Sequence, residues 1–370
     1  MNRTILLNPG PVTLSPRVRA ALPGPDLCHR ETEFFDLQDE IRARLLSVYD
    51  LDPDRWAAVL LSGSGTAGVE AMIGSLVPGD HKIIALDNGV YGKRMHDIAQ
   101  IYGCAPETIN HDWGAAIDTA RLDQALSSSG SSSWVTVVHH ETTTGRLNDI
   151  QRVAGVCRAH GATLLLDAVS SFGAEWIDFE GWGITACAGV SNKCLHGIPG
   201  VAFVIVRREA LEAASSICRS LYLDLHSHCA AQDKRSTPFT PSVPALVALQ
   251  ESFQEFEEQG GWRARNRCYH ERSVQIEEGF EALQLRPMLS RDESSVVLRA
   301  WHLPTALTYE ALHDTLKRDG FIVYRGQGAL AEDIFRIAVM GDISKQDIER
   351  LIDSLGRTLS THVEGVSAGG

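Results

Sequence analysis

What the chain lacks narrows its class. None of its eight cysteines (28, 104, 157, 187, 194, 218, 229 and 268) forms a Cys-x-x-Cys pair, and no Cys/His group has zinc-site spacing, so no metal is expected. At 370 residues the chain can bury a large core without disulfide staples; its thiols are expected free, as in a reducing compartment. No stretch reaches the roughly 18 apolar residues of a membrane helix. The opening MNRTILLNPGP holds no secretory apolar core, and a cytoplasmic protein with no membrane partner is expected. Positive charge is scarce: 34 Lys and Arg against 47 Asp and Glu give a formal net charge of −13. That balance argues against nucleic acid or an anionic membrane as partner, and any anionic substrate must be drawn in by local donors. No P-loop lysine follows the glycine-rich turn at 63–68, which argues against nucleoside triphosphate chemistry. Hydrophobic residues at 44% and charged residues at 22% are ordinary for a globular protein, and the length suggests two domains.

Residues 1–25 contain five prolines and no period, and read as an extended arm. Asn8-Pro9-Gly10-Pro11 cannot be helix interior, because proline lacks the N–H donor. From Phe35 the spacing of Leu37, Ile41, Leu45 and Val48 turns helical. Strand-length and helix-length segments then alternate. Apolar runs at 57–61, 82–87, 134–139, 163–167 and 201–206 are the strands; 66–77 and 90–102 are helices, and Ile150, Val153, Ala154 and Cys157 mark one face of a third. Strands that are apolar throughout suit a parallel sheet covered on both faces, so an α/β doubly wound core is expected. The low-complexity stretch 127–133, six serines and one glycine, reads as a surface loop. A long helix over 243–259 stops at Gly260-Gly261. Beyond it come a helix at 308–318, strands at 321–324 and 334–339, and a helix from Ser344 with Asp347 as capping partner. The expected division is an arm at 1–25, a large cofactor-binding domain at 26–260 and a small α+β domain at 261–370.

Five segments carry groups with chemistry. Gly63-x-Gly65-x-x-Gly68 follows a strand and opens a helix, where bare backbone N–H groups make an anion site. It also fits the dinucleotide fingerprint, with Asp87 ending the next strand about 20 residues on, so an NAD-dependent oxidoreductase stays open. Leu164-Leu165-Leu166-Asp167 sets a carboxylate at the carboxyl end of an apolar strand, where ligands of open α/β sheets sit; a helix cap is the plainer alternative. Ser191-Asn192-Lys193-Cys194 sets a lysine in a Gly-rich loop before a strand. Desolvation makes such an amine nucleophilic, and a surface turn is the plainer alternative. His140-Glu141-Thr142-Thr143-Thr144-Gly145 ends another apolar strand with hydroxyls that can bond a ring oxygen. Ile334-Phe335-Arg336-Ile337 places an arginine whose planar fork suits carboxylate or phosphonate. Each signal is weak alone. Together, a phosphate cradle, a strand-end Asp and a loop Lys match what pyridoxal phosphate needs: an anchor for its phosphate, an acid on its pyridine nitrogen and an amine for its aldehyde.

The stretches SGSGTAGVEAMIGS, NGVYGKRM, HHETTTGRLN, LLLDAVSSFGAEWIDF, SNKCLHGIPGVAFVIVRR and RSLYLDL resemble the class V branch of the fold type I pyridoxal-phosphate aminotransferases. The resemblance runs over nearly the whole chain, and within the branch it is greatest to the enzymes that transaminate 2-aminoethylphosphonate with pyruvate. It implies a mostly parallel sheet covered by helices with a smaller α+β C-terminal domain, pyridoxal 5′-phosphate as cofactor, and a homodimer with shared active sites. Residue by residue, it implies that Lys193 bonds the cofactor aldehyde and Asp167 pairs with the pyridine nitrogen. Ser64, Gly65 and Thr66 take the phosphate, with Asn192 beside it. Tyr91 stacks on the ring, Thr142 bonds the ring hydroxyl side, and Arg336 holds the substrate anion. Thr240, in PFTPS, reaches the phosphate of the neighbouring subunit. The implied reaction gives phosphonoacetaldehyde and L-alanine. Residues 28–34, CHRETEF, depart from this pattern and are more similar to alanine:glyoxylate and serine-type aminotransferases, which keeps those donors open as the alternative.

Overall fold

The computed structural model describes residues 3–24, 26–79, 81–128, 133–214, 217–305 and 307–367, with side chains to 360. The central sheet has seven strands: β1 (Trp56–Gly63), β2 (Lys82–Asp87), β3 (Ala105–Asn110), β4 (Trp134–Val138), β5 (Thr163–Asp167), β6 (Ile184–Val190) and β7 (Gly200–Arg207). Their order is β1-β7-β6-β5-β4-β2-β3. Strand β7 runs antiparallel to both its neighbours, and every other pair is parallel. Two successive reversals restore direction, so β1 ends at the same edge as β2 to β6.

The strands are apolar throughout because both faces are covered. Leu164 and Leu166 enter one core with Phe203 and Ile205, whereas Leu165 enters the opposite core with Val204 and Val206. Successive side chains point to opposite faces. Each fully buried leucine contributes about 2 kcal/mol, so a register slip is disfavoured on either side. Helices Thr32–Ser47, Ile150–Ala159 and Val243–Glu258 cover the first face; Gly65–Leu76, Val90–Ile101 and Leu225–Gln232 cover the second.

A second core lies beyond. Strands β8 (Leu298–His302), β9 (Tyr324–Arg325) and β10 (Ile334–Ala338) form an antiparallel sheet with β10 central. Helices Gly261–Ala282, Tyr309–Arg318 and Lys345–Ser367 pack on it around Phe280, Trp301, Phe335 and Leu351. Asp347 caps the last helix, its Oδ2 accepting from Ser344 N at 3.0 Å and Ser344 Oγ at 2.8 Å. This core also takes in Ile5, Leu7 and Val12 from the N-terminus, and Ala174 and Cys194 from the loops at the carboxyl edge of the large sheet.

Three expectations need correction. Residues 1–25 are not extended throughout. Ile5–Leu6 pairs in parallel with Phe321–Ile322, and Pro16–Ala20 forms a short helix capped by Ser15, whose Oγ accepts from Val18 N at 3.1 Å. Proline's fixed φ suits a first helical turn, so proline content misled there. The strand expected at 321–324 is split, because Phe321–Ile322 pairs with the arm and Tyr324–Arg325 with β10. The serine loop expected at 127–133 begins inside a helix, Thr119–Ser127, and its residues 129–132 lie outside the described residues. No described helix is long and apolar enough to cross a membrane.

Candidate active site

The shared carboxyl edge collects three turns. After β1, Ser64 begins helix Gly65–Leu76, and its side chain makes no capping bond. Ala67 N donates to Ser64 O at 2.9 Å, and among the described residues the N–H groups of Gly65 and Thr66 meet no side-chain acceptor at the positive end of the helix dipole. Backbone approach is close: a Cβ added to Gly65 would lie 2.6 Å from Val169 Cγ1. After β5, Asp167 is 5% exposed, and its Oδ1 accepts from Val169 N at 2.9 Å. After β6, Ser191 N donates to Val201 O (3.0 Å), Gly197 N to Ser191 O (2.9 Å) and His196 N to Lys193 O (3.0 Å), with His196 at φ 62°. This tight loop turns Lys193 inward, and its Nζ donates to Pro9 O. Gly10, at φ 110°, lies flat against the lysine stem; a Cβ there would sit 2.7 Å from Lys193 Cδ.

Ser64, Gly65, Thr66, Tyr91, Asp167, Asn192 and Lys193 therefore line one cleft, together with Val69, Arg94, Val169 and Val190. Thr142 and Arg336 do not line it, but the Arg336 charge acts on Lys193 and its guanidinium holds the Thr142 carbonyl. Arg336, central in the small sheet, donates from Nη1 to Thr142 O (2.9 Å) and Gln327 Oε1 (3.4 Å), and from Nε to Arg325 O (3.0 Å). No carboxylate pairs with this buried guanidinium among the described residues. Among the described residues, Thr142 Oγ1 is buried without a hydrogen-bond partner. Thr240 does not reach the cleft: it is exposed, beside a separate pocket with Ser62, Tyr222 and Phe239.

Burial sets the electrostatics. It lifts the Asp167 carboxyl to about 6, against the Val169 N–H and the Arg94 and Lys193 charges, which pull it down. It lowers the Lys193 amine to about 8, opposed by Cys194 and Asp167 and reinforced by the Arg336 and Arg94 charges. Desolvation holds His139 near 3 and His140 near 4, both neutral at ordinary pH. Cys194, wholly buried, is pushed up to about 12 and has no use as a nucleophile.

Three groups were missed. Arg94 lies three residues beyond Tyr91, hence on the same helix face, and that spacing was the available signal. Glu141 was noticed within its motif but given no role. Its Oε2 accepts from Tyr91 N (3.2 Å) and Gly92 N (3.4 Å), and its Oε1 from Thr143 N (3.0 Å) and Thr143 Oγ1 (2.6 Å). It thus caps helix Val90–Ile101 from a distant loop, and burial raises it to about 7. Pro9 and Gly10 carried no sequence signal for contact with a lysine 184 residues on.

The dinucleotide reading does not survive the topology. Strand β1 is an edge strand whose single neighbour is antiparallel, and Asp87 ends β2, five strands away. At about 4.8 Å per strand that is roughly 24 Å, too far for a carboxylate to meet a ribose bound at the glycine turn. A desolvated amine facing a buried acid, above a helix N-terminus, instead fits pyridoxal phosphate: the aldehyde, the cationic ring nitrogen and the phosphate each find a complementary group. The fold and cleft are thus those of an α/β enzyme built around such a cofactor.

The chain belongs to the class-V aminotransferases: the model of that family, Aminotransferase class-V, matches residues 23–341. Its cofactor is pyridoxal 5′-phosphate. The chain is 35% identical over 363 residues to the 2-aminoethylphosphonate--pyruvate transaminase of Vibrio vulnificus strain CMCP6, covering 97% of this chain and 98% of that one. Among solved structures it is similar to alanine--glyoxylate aminotransferase from Nostoc sp., at a TM-score of 0.90 and 26% identity over 97% of this chain and 96% of that one. It is also similar to pyridoxamine-pyruvate aminotransferase from Mesorhizobium loti, at a TM-score of 0.89 and 26% identity over 98% of this chain and 93% of that one.

Proposed function

We propose that this chain transfers the amino group of 2-aminoethylphosphonate to pyruvate, giving phosphonoacetaldehyde and L-alanine. The observation that carries the proposal is Arg336, a buried guanidinium whose charge acts on Lys193 and whose hydrogen-bond partners among the described residues include no carboxylate. A buried cation without an acid partner calls for an anion from outside. Both substrates bring one at similar reach from the reacting carbon, phosphonate in the donor and carboxylate in the acceptor. One arginine then serves both half-reactions, which is the physical case for a ping-pong cycle. The name of the 35%-identical relative agrees.

When bound, pyridoxal phosphate supplies an aldehyde for the donor nitrogen and a protonated ring that draws electrons from the neighbouring carbon. Lys193 would hold that aldehyde, and its Nζ amine, near 8, would be the base that moves a proton between the reacting carbon and the aldehyde carbon. Asp167 would pair with the ring nitrogen and keep it protonated. Ser64, Gly65, Thr66 and Asn192 would hold the phosphate, Tyr91 would stack on the ring, and the Thr142 hydroxyl would bond the ring hydroxyl side. A homodimer is part of the proposal: Thr240 lies beside Tyr222, 40% exposed, and near Leu221, 83% exposed, a surface for a second copy to cover. The eight free cysteines suit a reducing cytoplasm.

The alternative donors, alanine with glyoxylate or serine, rest on the departing segment 28–34. An amine-donor panel run as the donor half-reaction without acceptor, read by cofactor absorbance, separates the readings. The phosphonate donor should lead alanine and serine by about tenfold or more in kcat/KM, a 1.4 kcal/mol preference. Serine in first place would defeat the phosphonate reading. Loss of all turnover in Lys193→Ala, with borohydride no longer fixing cofactor to the chain, is expected whichever donor wins.

A further inference from the structure

The donors assigned to the cofactor phosphate are all electrically neutral. Ser64, Thr66 and Asn192 offer a hydroxyl or an amide, and Gly65 a backbone N–H. The helix N-terminus adds about half a charge. A phosphate monoester carries up to two negative charges, and a chain with a net charge of −13 repels it at long range. A full positive charge at the cradle is missing from that assignment.

Arg94 is placed to supply it. It lies on helix Val90–Ile101 and lines the same cleft as Ser64, Gly65 and Thr66. Its Nη1 donates to Thr66 Oγ1 at 3.1 Å, the hydroxyl at the start of helix Gly65–Leu76. Its guanidinium carbon lies 4.7 Å from the Tyr91 ring centroid, which fixes the plane of the group. No acidic side chain forms an ion pair with it among the described residues, although most arginines of this protein are so paired or spent on backbone carbonyls. An arginine stacked on one side, hydrogen-bonded to a phosphate-site hydroxyl and without a counterion has its remaining N–H donors available to an oxyanion.

We propose that Arg94 is a direct ligand of the cofactor phosphate and the main source of the cleft's selectivity for the phosphorylated cofactor over its unphosphorylated aldehyde. The inference rests on the cofactor reading above. The rival account is that Arg94 only braces Tyr91, in which case it is indifferent to the phosphate.

The two accounts differ in a double comparison of residue and ligand group. Cofactor-free wild type, Arg94→Gln and Arg94→Lys are titrated at equilibrium with pyridoxal phosphate and with pyridoxal, following tryptophan quenching, and each complex is fixed with borohydride and mapped. Loss of a charge-assisted pair should weaken pyridoxal phosphate in Arg94→Gln by about 10- to 100-fold. Pyridoxal should weaken by less than about threefold, a change of some 0.6 kcal/mol. Arg94→Lys, which keeps the charge without the fork, should fall between. Inorganic phosphate should compete with pyridoxal phosphate on wild type more strongly than on Arg94→Gln. Equal weakening for both aldehydes overturns the inference while leaving the cofactor site intact. Failure of wild type to fix either aldehyde on Lys193 overturns the cofactor reading and this inference together.

Discussion

Replacing Asp167 with Asn should make the cofactor-free protein more stable and the enzyme much less active. Burial raises this carboxyl from 3.8 to about 6. The folded protein therefore holds the proton more tightly than the unfolded chain does. The fold keeps its full advantage below pH 4 and loses it as pH rises through 6. From those two values, ionising Asp167 costs the fold about 1.6 kcal/mol at pH 5 and about 3 kcal/mol at pH 8. Asparagine keeps the shape and an oxygen for Val169 N, but never ionises. In urea unfolding of the cofactor-free proteins, the variant should thus gain about 1.4 kcal/mol on wild type between pH 5 and pH 8, at an unchanged m value. A gap that does not widen with pH would refute burial as the cause of the raised pKa. Cofactor should flatten the pH dependence of wild type, because a cationic ring nitrogen gives the carboxylate its partner. The same substitution should lower kcat by about 100-fold or more, since it removes a preorganised charge from the reacting ring.

Other perturbations report on the rest of the site. Arg336→Gln should lower kcat/KM about 10- to 100-fold for the donor and for pyruvate alike, measured as separate half-reactions; an effect on one substrate alone would break the shared-arginine argument. Gly10→Ala meets Lys193 Cδ at 2.7 Å in a left-handed backbone conformation, so borohydride-fixable cofactor should fall together with rate. Full labelling at wild-type rate would mean that the arm does not constrain the lysine. Glu141→Gln sets an amide NH2 against the N–H groups of Tyr91 and Gly92 or of Thr143, and about 1–3 kcal/mol of stability should be lost in thermal or urea unfolding. An unchanged Tm would show that the helix does not need this cap.

The parts of the fold legible in the sequence are those whose signal is local. Strands 82–87 and 163–167 were read to the residue, since each is an apolar run closed by the first carboxylate after it. Strand β6 escaped notice because ITACAGV holds small residues, and their reason lies across the sheet: a Cβ on Gly189 would meet the Phe203 ring at 2.3 Å. Strand β3, an edge strand with Ile109 alone buried, carries too little apolar pattern to be seen. Lys193, Asp167 and the glycine turn could be nominated singly. That they meet depends on β7 entering between β1 and β6 and restoring the direction of β1, which no local pattern encodes.

The site residues share a second property that only the folded chain displays. Asp167 and Arg336 are buried and Lys193 is half-buried, and desolvation shifts each toward its neutral form; among the described residues none has an oppositely charged side chain hydrogen-bonded to it. For a structural network that arrangement is unfavourable, because buried charges left unpaired cost more than apolar replacements of the same size. It becomes favourable once a ligand brings an aldehyde for the amine, a cationic N–H for the acid and an anion for the guanidinium. The stability forgone by the empty cleft is recovered on binding, so affinity for cofactor and substrate and the marginal stability of the cofactor-free protein have one physical origin. Variants that neutralise these groups should accordingly stabilise the empty protein in proportion to the binding they destroy.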